Sequence, residues 1–236
     1  MSEFGDFLKP QCIPSKLDIF AVRQAILDAL HFHLKDFSGT LLDIGCGYMP
    51  YKQLILKPPS HVQKYIGLDL KDNTYQKPDL EWDGCTIPLS DNSVDCALAT
   101  EVLEHCPEPE LLMREALRVL KPGGLLFFTV PFLWPLHDVP HDEYRYTPYS
   151  LERHLRNVGF EQINLKALGG WDASLAQMIG LWVRRRLMRF PRKRAVLSRL
   201  VLPLIWLLTK LDQPPTEFYE SCMITGLSGT AIKPIV

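Results

Sequence analysis

Two glycines and an acid in the first quarter of the chain could form a ligand-binding turn. The run LLDIGCGYMP (residues 41–50) places Asp43 near the end of an apolar stretch, followed by Gly45 and Gly47. Glycines let the backbone turn sharply and approach a ligand closely at the carboxyl end of a first strand, where open parallel sheets bind nucleotides. A dinucleotide fingerprint needs a third glycine three residues later, and Pro50 stands there. The turn therefore disfavours a nicotinamide or flavin dinucleotide.

Two further acids end the next two predicted strands. Asp69 lies 22 residues after Gly47, within GLDL, and Asp83 follows in EWDG. A carboxylate at that distance can accept hydrogen bonds from ribose hydroxyls, and Asp83 could accept one from an exocyclic amine of a base. The order of the acids predicts an adenosine-type ligand, whereas each acid alone could equally cap a turn.

These motifs, taken together, resemble the class I S-adenosylmethionine-dependent methyltransferases. The matching runs are LLDIGCG, YIGLDL, WDGCTIPLSDNSVDCALATEVLEHCPEP and RVLKPGG, in the family's order, within residues 39–131. The resemblance implies an α/β fold, with a Rossmann-like, doubly wound, mostly parallel seven-stranded sheet whose last strand is antiparallel. It also implies S-adenosyl-L-methionine as the cofactor.

The same resemblance assigns the cofactor contacts. Gly45 and Gly47 would pass under the methionine moiety, Asp69 would hold the ribose, and Asp83 would face the adenine. The link after Asp69 is too short for a crossover helix, so the adenine side departs from the family's pattern. The full implied set is Asp43, Gly45, Cys46, Gly47, Asp69, Leu70, Asp83, Gly84, Cys85, Thr100 and Glu101.

A second resemblance concerns residues 131–147, PFLWPLHDVPHDEYRYT, a long loop rich in rings, histidines and acids. Together with SLERHLRNVGF, it resembles a branch of small bacterial methyltransferases associated with glycan and cell-envelope biosynthesis. Loops of this length are usually either functional or disordered, and the aromatic content argues against disorder. Tyr144, Arg145 and Tyr146 are the substrate-binding residues that this resemblance suggests, although Arg145 could instead pair with Asp142 or a neighbouring acid.

Methyl transfer to a hydroxyl also needs a group that takes a proton. The transfer is an in-line displacement, so most of the catalysis can come from positioning. A hydroxyl must still lose its proton, and histidine is the side chain best tuned to take it near neutral pH. Each histidine could equally be structural. The candidates are His105, His137 and His141, with Asp142 as base or orienter.

We therefore expect O-methylation of a hydroxyl on a sugar or on a lipid-linked small molecule. Two alternatives remain: a non-catalytic scaffold or regulatory subunit that binds the cofactor, and a methyltransferase of a quinone or another small acceptor. A nucleobase amino-methyltransferase is disfavoured, because ATEVLEH lacks the Asn/Asp-Pro-Pro-aromatic motif. The balance of 26 basic against 27 acidic residues also argues against nucleic acid as a partner. Six cysteines without a CxxC pair predict reduced thiols and no metal site.

Four segments must position these residues. The runs TLLDIG, KYIGLDL, LEWD, VDCALAT and GGLLFFTVP alternate with helical patterns, which predicts a parallel sheet. Within it, helices are expected over 108–120 and 148–158, and a strand over 160–168. The segments are a helical lead-in (1–38), the cofactor-binding core (39–171), a helical insertion (172–216) and the last strand of the core (217–236).

The insertion is basic and amphipathic. It carries nine basic and two acidic side chains, a charge of +7 against −8 for the rest of the chain. This composition is typical of a helix that lies on an anionic membrane surface, although an internal lid or a homodimer interface would fit equally. Its charge-free run, residues 200–209, is too short for a span, which needs roughly 20 residues. Since the N-terminus also lacks a secretory pattern, we expect a cytoplasmic protein, peripheral at the inner face of a membrane if the insertion docks.

Overall fold

The computed structural model describes residues 5–73 and 75–235, so residues 1–4 of the expected lead-in and residue 236 of the last segment lie outside the described residues. The chain folds as two compact units. A sheet unit comprises residues 30–131, 135–165 and 228–235, and a helical unit comprises residues 5–29, 132–134 and 166–227.

Seven strands form one sheet. They are β1 (Ser38–Ile44), β2 (His61–Leu70), β3 (Leu80–Trp82), β4 (Val94–Thr100), β5 (Leu120–Pro131), β6 (Glu161–Leu168) and β7 (Gly226–Ile232). Their order is β3-β2-β1-β4-β5-β7-β6, and the pairs from β3 to β5 are parallel. Just beyond β7, Gly123 N–H donates to Lys233 O, and Lys233 N–H donates to Gly124 O, the reciprocal pairing of antiparallel strands. The predicted mostly parallel sheet with an antiparallel last strand is confirmed.

The sheet forms where the sequence is apolar on both faces of a strand. Leu41, Leu42 and Ile44 of β1 are fully buried, as is Phe127 of β5. Parallel strands that helices cover on both faces carry such continuous apolar runs. Phe127 packs edge-to-face on Phe37, with 5.9 Å between the ring centroids, so β5 is joined to the residue that precedes β1.

Helices and turns connect the strands. The helix α5 has the expected bounds, because Thr147 Oγ1 accepts the Ser150 N–H at its start and Gly159, at φ +110°, ends it. The helix α4 (Pro109–Val119) is shorter than the expected 108–120, because Leu120 already belongs to β5. The helices up to this point are α1 (Gly5–Leu8), α2 (Phe20–His33), α3 (Lys52–Ile55), α4 (Pro109–Val119) and α5 (Pro148–Val158), with a 3₁₀ turn over Leu103–His105.

The strand order determines where a ligand can bind. β1 lies between β2 and β4, so the chain connections leave the sheet in opposite directions at its carboxyl end. Open sheets bind ligands at such a switch point. Asp43 pairs in register with Gly67 of β2 and Leu98 of β4. The first acid of the glycine turn therefore lies in the middle of the sheet.

The helical unit contains α6 (Trp171–Leu181), a π turn (Trp182–Arg186) and α7 (Pro191–Leu211). Leu17, Ala176 and Ile205 form its buried cluster. A Cβ on Gly180 would lie 2.3 Å from the carbonyl oxygen of Leu17, so only glycine permits this close approach. Among the described residues, no helix has both the length and the apolar character that crossing a bilayer requires.

Candidate functional site

The glycine turn follows β1 at the switch point. Gly45 and Gly47 have φ values of +65° and +49°, in the left-handed region that favours glycine. A Cβ on Gly45 would lie 2.6 Å from Val102 Cγ2. The Cys46 N–H donates to the carbonyl oxygen of Leu68 in β2, at 3.0 Å. The turn is thus fixed against β2, and a side chain at Gly45 would collide with the segment after β4.

Asp69 joins the end of β2 to this turn. Its Oδ2 accepts the Gly47 N–H at 2.8 Å, and its Oδ1 accepts the Leu70 N–H at 2.8 Å. A carboxylate has about four acceptor positions, so each oxygen can accept a further bond from a ligand hydroxyl. The Leu70 side chain is exposed beside it. The sequence placed Asp69 in the site, and the structure brings it into direct contact with the glycine turn.

Asp43 is buried and only partly satisfied. The Tyr65 hydroxyl of β2 donates to Asp43 Oδ2, while no hydrogen bond from the described residues reaches Asp43 Oδ1. Burial raises the pKa of Asp43 to about 7, against the opposing effect of the Tyr65 hydrogen bond, and the charge of Asp69 adds to the rise. The free oxygen can accept from an ammonium donor. Sequence reasoning missed Tyr65, because only the strand register places it beside Asp43.

A second acid that the sequence did not single out holds the neighbouring segment. Asp79 Oδ2 accepts the Gly67 N–H at 2.8 Å and lies 3.4 Å from Lys52 Nζ. This carboxylate therefore links β2, α3 and the segment before β3. The sequence signal for Asp79 was its position next to Pro78, at the end of the short link after β2. This link leads into β3, so the acid does not cap a helix.

Asp83 uses one oxygen within its own loop. Its Oδ1 accepts the N–H groups of Cys85 and Thr86, at 2.8 and 2.9 Å, and these bonds lower the pKa of Asp83. The turn-capping alternative considered for this acid therefore accounts for one of its two oxygens. A Cβ on Gly84, which has φ +87°, would lie 3.7 Å from Leu70 Cδ2. The loop therefore borders Leu70, which follows the ribose-side acid.

Glu101 occupies a constrained position directly after Thr100 at the end of β4. Its φ is +54°, which is uncommon for a residue with a side chain. Its N–H donates to Thr129 O at 3.0 Å, and the Thr129 hydroxyl donates to Glu101 Oε1 at 2.8 Å. Burial raises the pKa of Glu101 to about 7. A carboxyl group with this pKa can exchange a proton near neutral pH.

The next turn brings Glu104 and His105 together. The Glu104 side chain is fully buried, and neither of its carboxyl oxygens has a hydrogen-bond partner within the part of the chain that the structure describes. Burial raises its pKa well above the usual range. His105 Nε2 lies 3.7 Å from Glu104 Oε1. The sequence predicted His105 and missed Glu104, because the burial of this acid is not readable from VLEHC.

The loop after β5 meets this turn. His105 Nδ1 lies 2.9 Å from the carbonyl oxygen of His141, and the His105 and His137 rings pack edge-to-face, with centroids 4.7 Å apart. The predicted His105 and His137 are therefore neighbours. The His141 side chain is exposed, and its contribution to the turn comes from its backbone.

Asp142 and Arg145 form a two-pronged ion pair. Arg145 donates from both terminal nitrogens to Asp142, at 2.7 and 2.9 Å, and the His137 N–H donates to Asp142 Oδ2 at 3.1 Å. The pair with Arg145 holds the pKa of Asp142 well below its usual range. With both oxygens engaged and its pKa lowered, Asp142 is a weak proton acceptor near neutral pH. The ion-pair alternative for Arg145 is the arrangement that the structure contains.

The two tyrosines brace the same loop. Tyr146 is buried, and its hydroxyl donates to Leu103 O at 2.9 Å. Tyr144 stacks on Tyr146 and donates to Pro107 O at 3.0 Å. Both hydroxyls are therefore used to hold the loop against the turn after β4. Tyr146 has almost no surface left for a substrate, so we assign it a packing role in place of the expected contact.

Known proteins match the part of the chain that carries the glycine turn. Residues 42–128 match the family model described as a methyltransferase domain. This stretch is therefore similar to a methyltransferase domain. It begins within β1 and ends within β5, so it contains the glycine turn, Asp43, Asp69 and Glu101. The loop that carries His137 and Asp142 follows the matched residues.

Curated relatives match over the same part of the chain. An uncharacterised methyltransferase of Mycobacteroides abscessus is 36% identical over 96 residues, which are 40% of this chain and 36% of that protein. The rat thiol S-methyltransferase TMT1B is 32% identical over 115 residues, 42% of this chain and 47% of the relative. The chain thus spans less than half the length of these relatives.

A solved structure resembles the methyltransferase domain together with the rest of the chain. The [4+2]-cyclase SpnF has a TM-score of 0.55 at 20% identity, over 92% of this chain and 84% of that one. At this identity the likeness concerns the fold.

Proposed function

We propose that this protein is an S-adenosyl-L-methionine-dependent methyltransferase that methylates a hydroxyl on a sugar or on a lipid-linked small molecule. The observation that carries the proposal is the bond from the Gly47 N–H to Asp69. It joins a glycine turn to an acid at the switch point, within a methyltransferase domain.

The residues present fit this cofactor. The unpartnered Asp43 Oδ1 supplies an acceptor for an ammonium group, and the open positions on Asp69 supply acceptors for ribose hydroxyls. Gly45 and Gly47 keep the turn free of side chains, and the exposed Leu70 offers an apolar surface to a base. When bound, the cofactor supplies an electrophilic methyl group on a sulfonium.

The chain's own residues then position and deprotonate the acceptor. Two groups near the turn after β4 can take a proton: the His137 ring, oriented through Asp142, and Glu101, whose pKa burial raises to about 7. Arg145 cannot hold an anionic acceptor without sharing its ion pair with Asp142. We therefore favour a neutral hydroxyl acceptor, and the loop resemblance favours a sugar or a lipid-linked molecule.

Calorimetry and mass spectrometry test this function. We expect S-adenosyl-L-methionine and its demethylated product to bind the full chain, and Asp69→Ala to abolish the heat of binding. Incubation of a cell-envelope extract with isotope-labelled cofactor should then label a hydroxyl-bearing product. Absence of cofactor binding would contradict the proposal. Binding without any labelled acceptor would favour the scaffold alternative, and a labelled quinone or thiol would replace the acceptor class.

The helical unit supports an anionic membrane surface as the place of the reaction. Arg184 and Arg185 lie 3.6 and 2.8 Å from Asp18 within that unit, so the remaining bases of the insertion are the ones that can face lipid. Each base near an anionic leaflet contributes about 1 kcal/mol. The same helical unit also exposes a set of apolar side chains: Trp171, Leu175, Met178, Trp182, Met188, Phe190, Val196, Leu200, Leu204, Trp206, Leu207 and Leu211.

Vesicle sedimentation tests this docking. We expect the chain to bind vesicles that contain phosphatidylserine, to release them at high salt, and to ignore neutral phosphatidylcholine vesicles. Arg192→Glu with Arg199→Glu should abolish binding, whereas Arg153→Glu, on an exposed arginine of α5, should not. Equal binding by all variants would overturn the docking. A dimer in lipid-free solution that buries these side chains would favour the homodimer alternative.

A further inference from the structure

Three side chains that can ligate a metal converge where the turn after β4 meets the loop after β5. Glu104 and His105 lie on the 3₁₀ turn after β4, and His137 lies on the loop after β5. One potential ligand atom from each lies within 4.8 Å of the others. Two imidazoles and one carboxylate are a donor set that binds zinc in catalytic sites with open coordination positions.

Glu104 gives the cluster a reason to bind a cation. The side chain is fully buried, and both of its oxygens lack a hydrogen-bond partner. A buried carboxylate is costly unless a partner compensates it. Arg145 is already paired with Asp142, so it leaves the buried carboxyl group of Glu104 without a hydrogen bond among the described residues. A divalent cation would supply that partner.

Both histidines have contacts that orient a ligand. His105 Nδ1 lies 2.9 Å from the His141 carbonyl oxygen, so it carries the proton and leaves the lone pair on Nε2. That Nε2 is the atom 3.7 Å from Glu104 Oε1. His137 Nδ1 lies 3.3 Å from Asp142 Oδ2. The carbonyl behind His105 is the usual support of a metal-ligating histidine, and at His137 the Asp142 carboxylate makes an ion-pair contact.

We propose that Glu104, His105 and His137 bind one divalent transition-metal ion, with Zn²⁺ as the best match. Bonds of about 2.0–2.2 Å in a tetrahedral site place ligand atoms about 3.4 Å apart. Binding therefore needs the side chains to close by about an ångström. Magnesium and calcium favour oxygen donors almost exclusively, so two imidazoles argue against them.

The catalytic use of the ion rests on the proposed function. Three protein ligands leave a coordination position for the oxygen of an acceptor hydroxyl. The ion lowers the pKa of that hydroxyl. With the ion bound, His137 would be a ligand and not the base, so the O–H bond would break with its proton passing to solvent water and the electron pair staying on the acceptor oxygen. Such a site would make the hydroxyl nucleophilic without a strongly basic side chain.

Cobalt absorption tests the site on the full chain. Co²⁺ added to chelator-treated protein should bind in a ratio of one to one, with visible bands of nitrogen and oxygen ligation, and Zn²⁺ should displace it. Glu104→Gln and His137→Gln should each weaken binding at least tenfold. His154→Gln is the matched control, since His154 also lies 3.0 Å from a carboxylate, that of Glu110, but outside the cluster. Its affinity should not change.

Two outcomes would overturn the site. One is unchanged Co²⁺ affinity in the Glu104 and His137 variants. The other is a thiolate charge-transfer band, which would assign binding to cysteines. If Glu104→Gln fails to fold, His105→Gln serves instead, because His105 is partly exposed. Calorimetry of S-adenosyl-L-methionine separates the proposals: lost cofactor binding with retained Co²⁺ binding contradicts the proposed function alone. A chelator that leaves methyl transfer unchanged contradicts the catalytic use of the ion.

Discussion

The Tyr65 hydroxyl donates a hydrogen bond to one oxygen of Asp43 and leaves the other oxygen of that carboxylate without a partner. The register of β1 and β2 brings the two side chains together, since Leu41 pairs with Tyr65 and Asp43 with Gly67. The fold thus supplies a hydrogen-bond donor to one oxygen of the Asp43 carboxyl group. The second oxygen is available to a ligand.

Cofactor affinity should depend on pH through Asp43. Burial raises the pKa of Asp43 to about 7, so the group is mostly protonated at pH 5, and a cationic ligand must displace that proton. We expect affinity for S-adenosyl-L-methionine to rise between pH 5 and 7, by up to about tenfold per pH unit. Calorimetry across this range measures the slope. Asp43→Asn should bind more weakly with a shallower slope, and an unchanged slope would count against this role.

The stability of the cofactor-free protein should also depend on pH through Asp43, but it should fall, and not rise, as the pH increases. The folded pKa of about 7 lies above the unfolded value of 3.8, so folding takes up a proton between these pH values. Stability conferred by this group is present below about pH 4 and is lost as pH rises through 7. Asparagine does not ionise, so the free energy of unfolding of Asp43→Asn, relative to that of the wild type, should rise by up to roughly 4 kcal/mol between pH 4 and pH 8. Denaturant unfolding at both pH values measures the difference, which should be absent if Asp43 ionises normally.

Asp69 and Asp83 should contribute unequally to cofactor binding. Both oxygens of Asp69 face the glycine turn and its surroundings, whereas Asp83 Oδ1 is taken up by its own loop. We expect Asp69→Asn to lower the affinity at least tenfold, since an amide presents one acceptor oxygen in place of two. Asp83→Asn should lower it less. Calorimetry with both variants measures the two losses of affinity. A larger loss in Asp83→Asn than in Asp69→Asn would contradict the prediction that Asp69 contributes more.

Arg145→Lys should disturb the acceptor side and spare the cofactor side. Lysine cannot reproduce the two parallel bonds to Asp142, so we expect a stability loss of about 1–3 kcal/mol. The KM for the acceptor should rise as His137 loses its orientation, while affinity for S-adenosyl-L-methionine stays the same. Arg114→Lys, at an exposed pair with Glu110, is the control. Weakened cofactor binding in Arg145→Lys would show that the two sides are coupled.

The sheet and the acids that end its strands could be predicted from local sequence, whereas the partners of those acids could not. Glycine spacing and strand-end acids indicated Gly45, Gly47 and Asp69, because these positions follow directly from the βα pattern. Tyr65 and Asp79 reach the site only through register and a turn, which single-sequence patterns do not contain.

The acceptor side was harder to predict for a similar reason. The sequence drew attention to His105, His137 and Asp142, but not to their mutual distances. Glu104 was missed because nothing in VLEHC indicates that the acid is buried while His105 beside it is partly exposed. The loop resemblance suggests Tyr146 as a substrate-binding residue, whereas in the structure its side chain is buried and its hydroxyl donates to Leu103 O.

One carbonyl oxygen, that of Glu104, receives the N–H groups of both Glu143 and Tyr144, at 2.8 and 3.1 Å. The loop after β5 is therefore anchored near its end, while Leu136 and Val139 at its tip are exposed. Substitutions at the tip leave that anchor in place. A mutant library confined to these two positions should change which acceptors the enzyme accepts while keeping its affinity for the methyl donor, so acceptor choice can evolve separately from cofactor use.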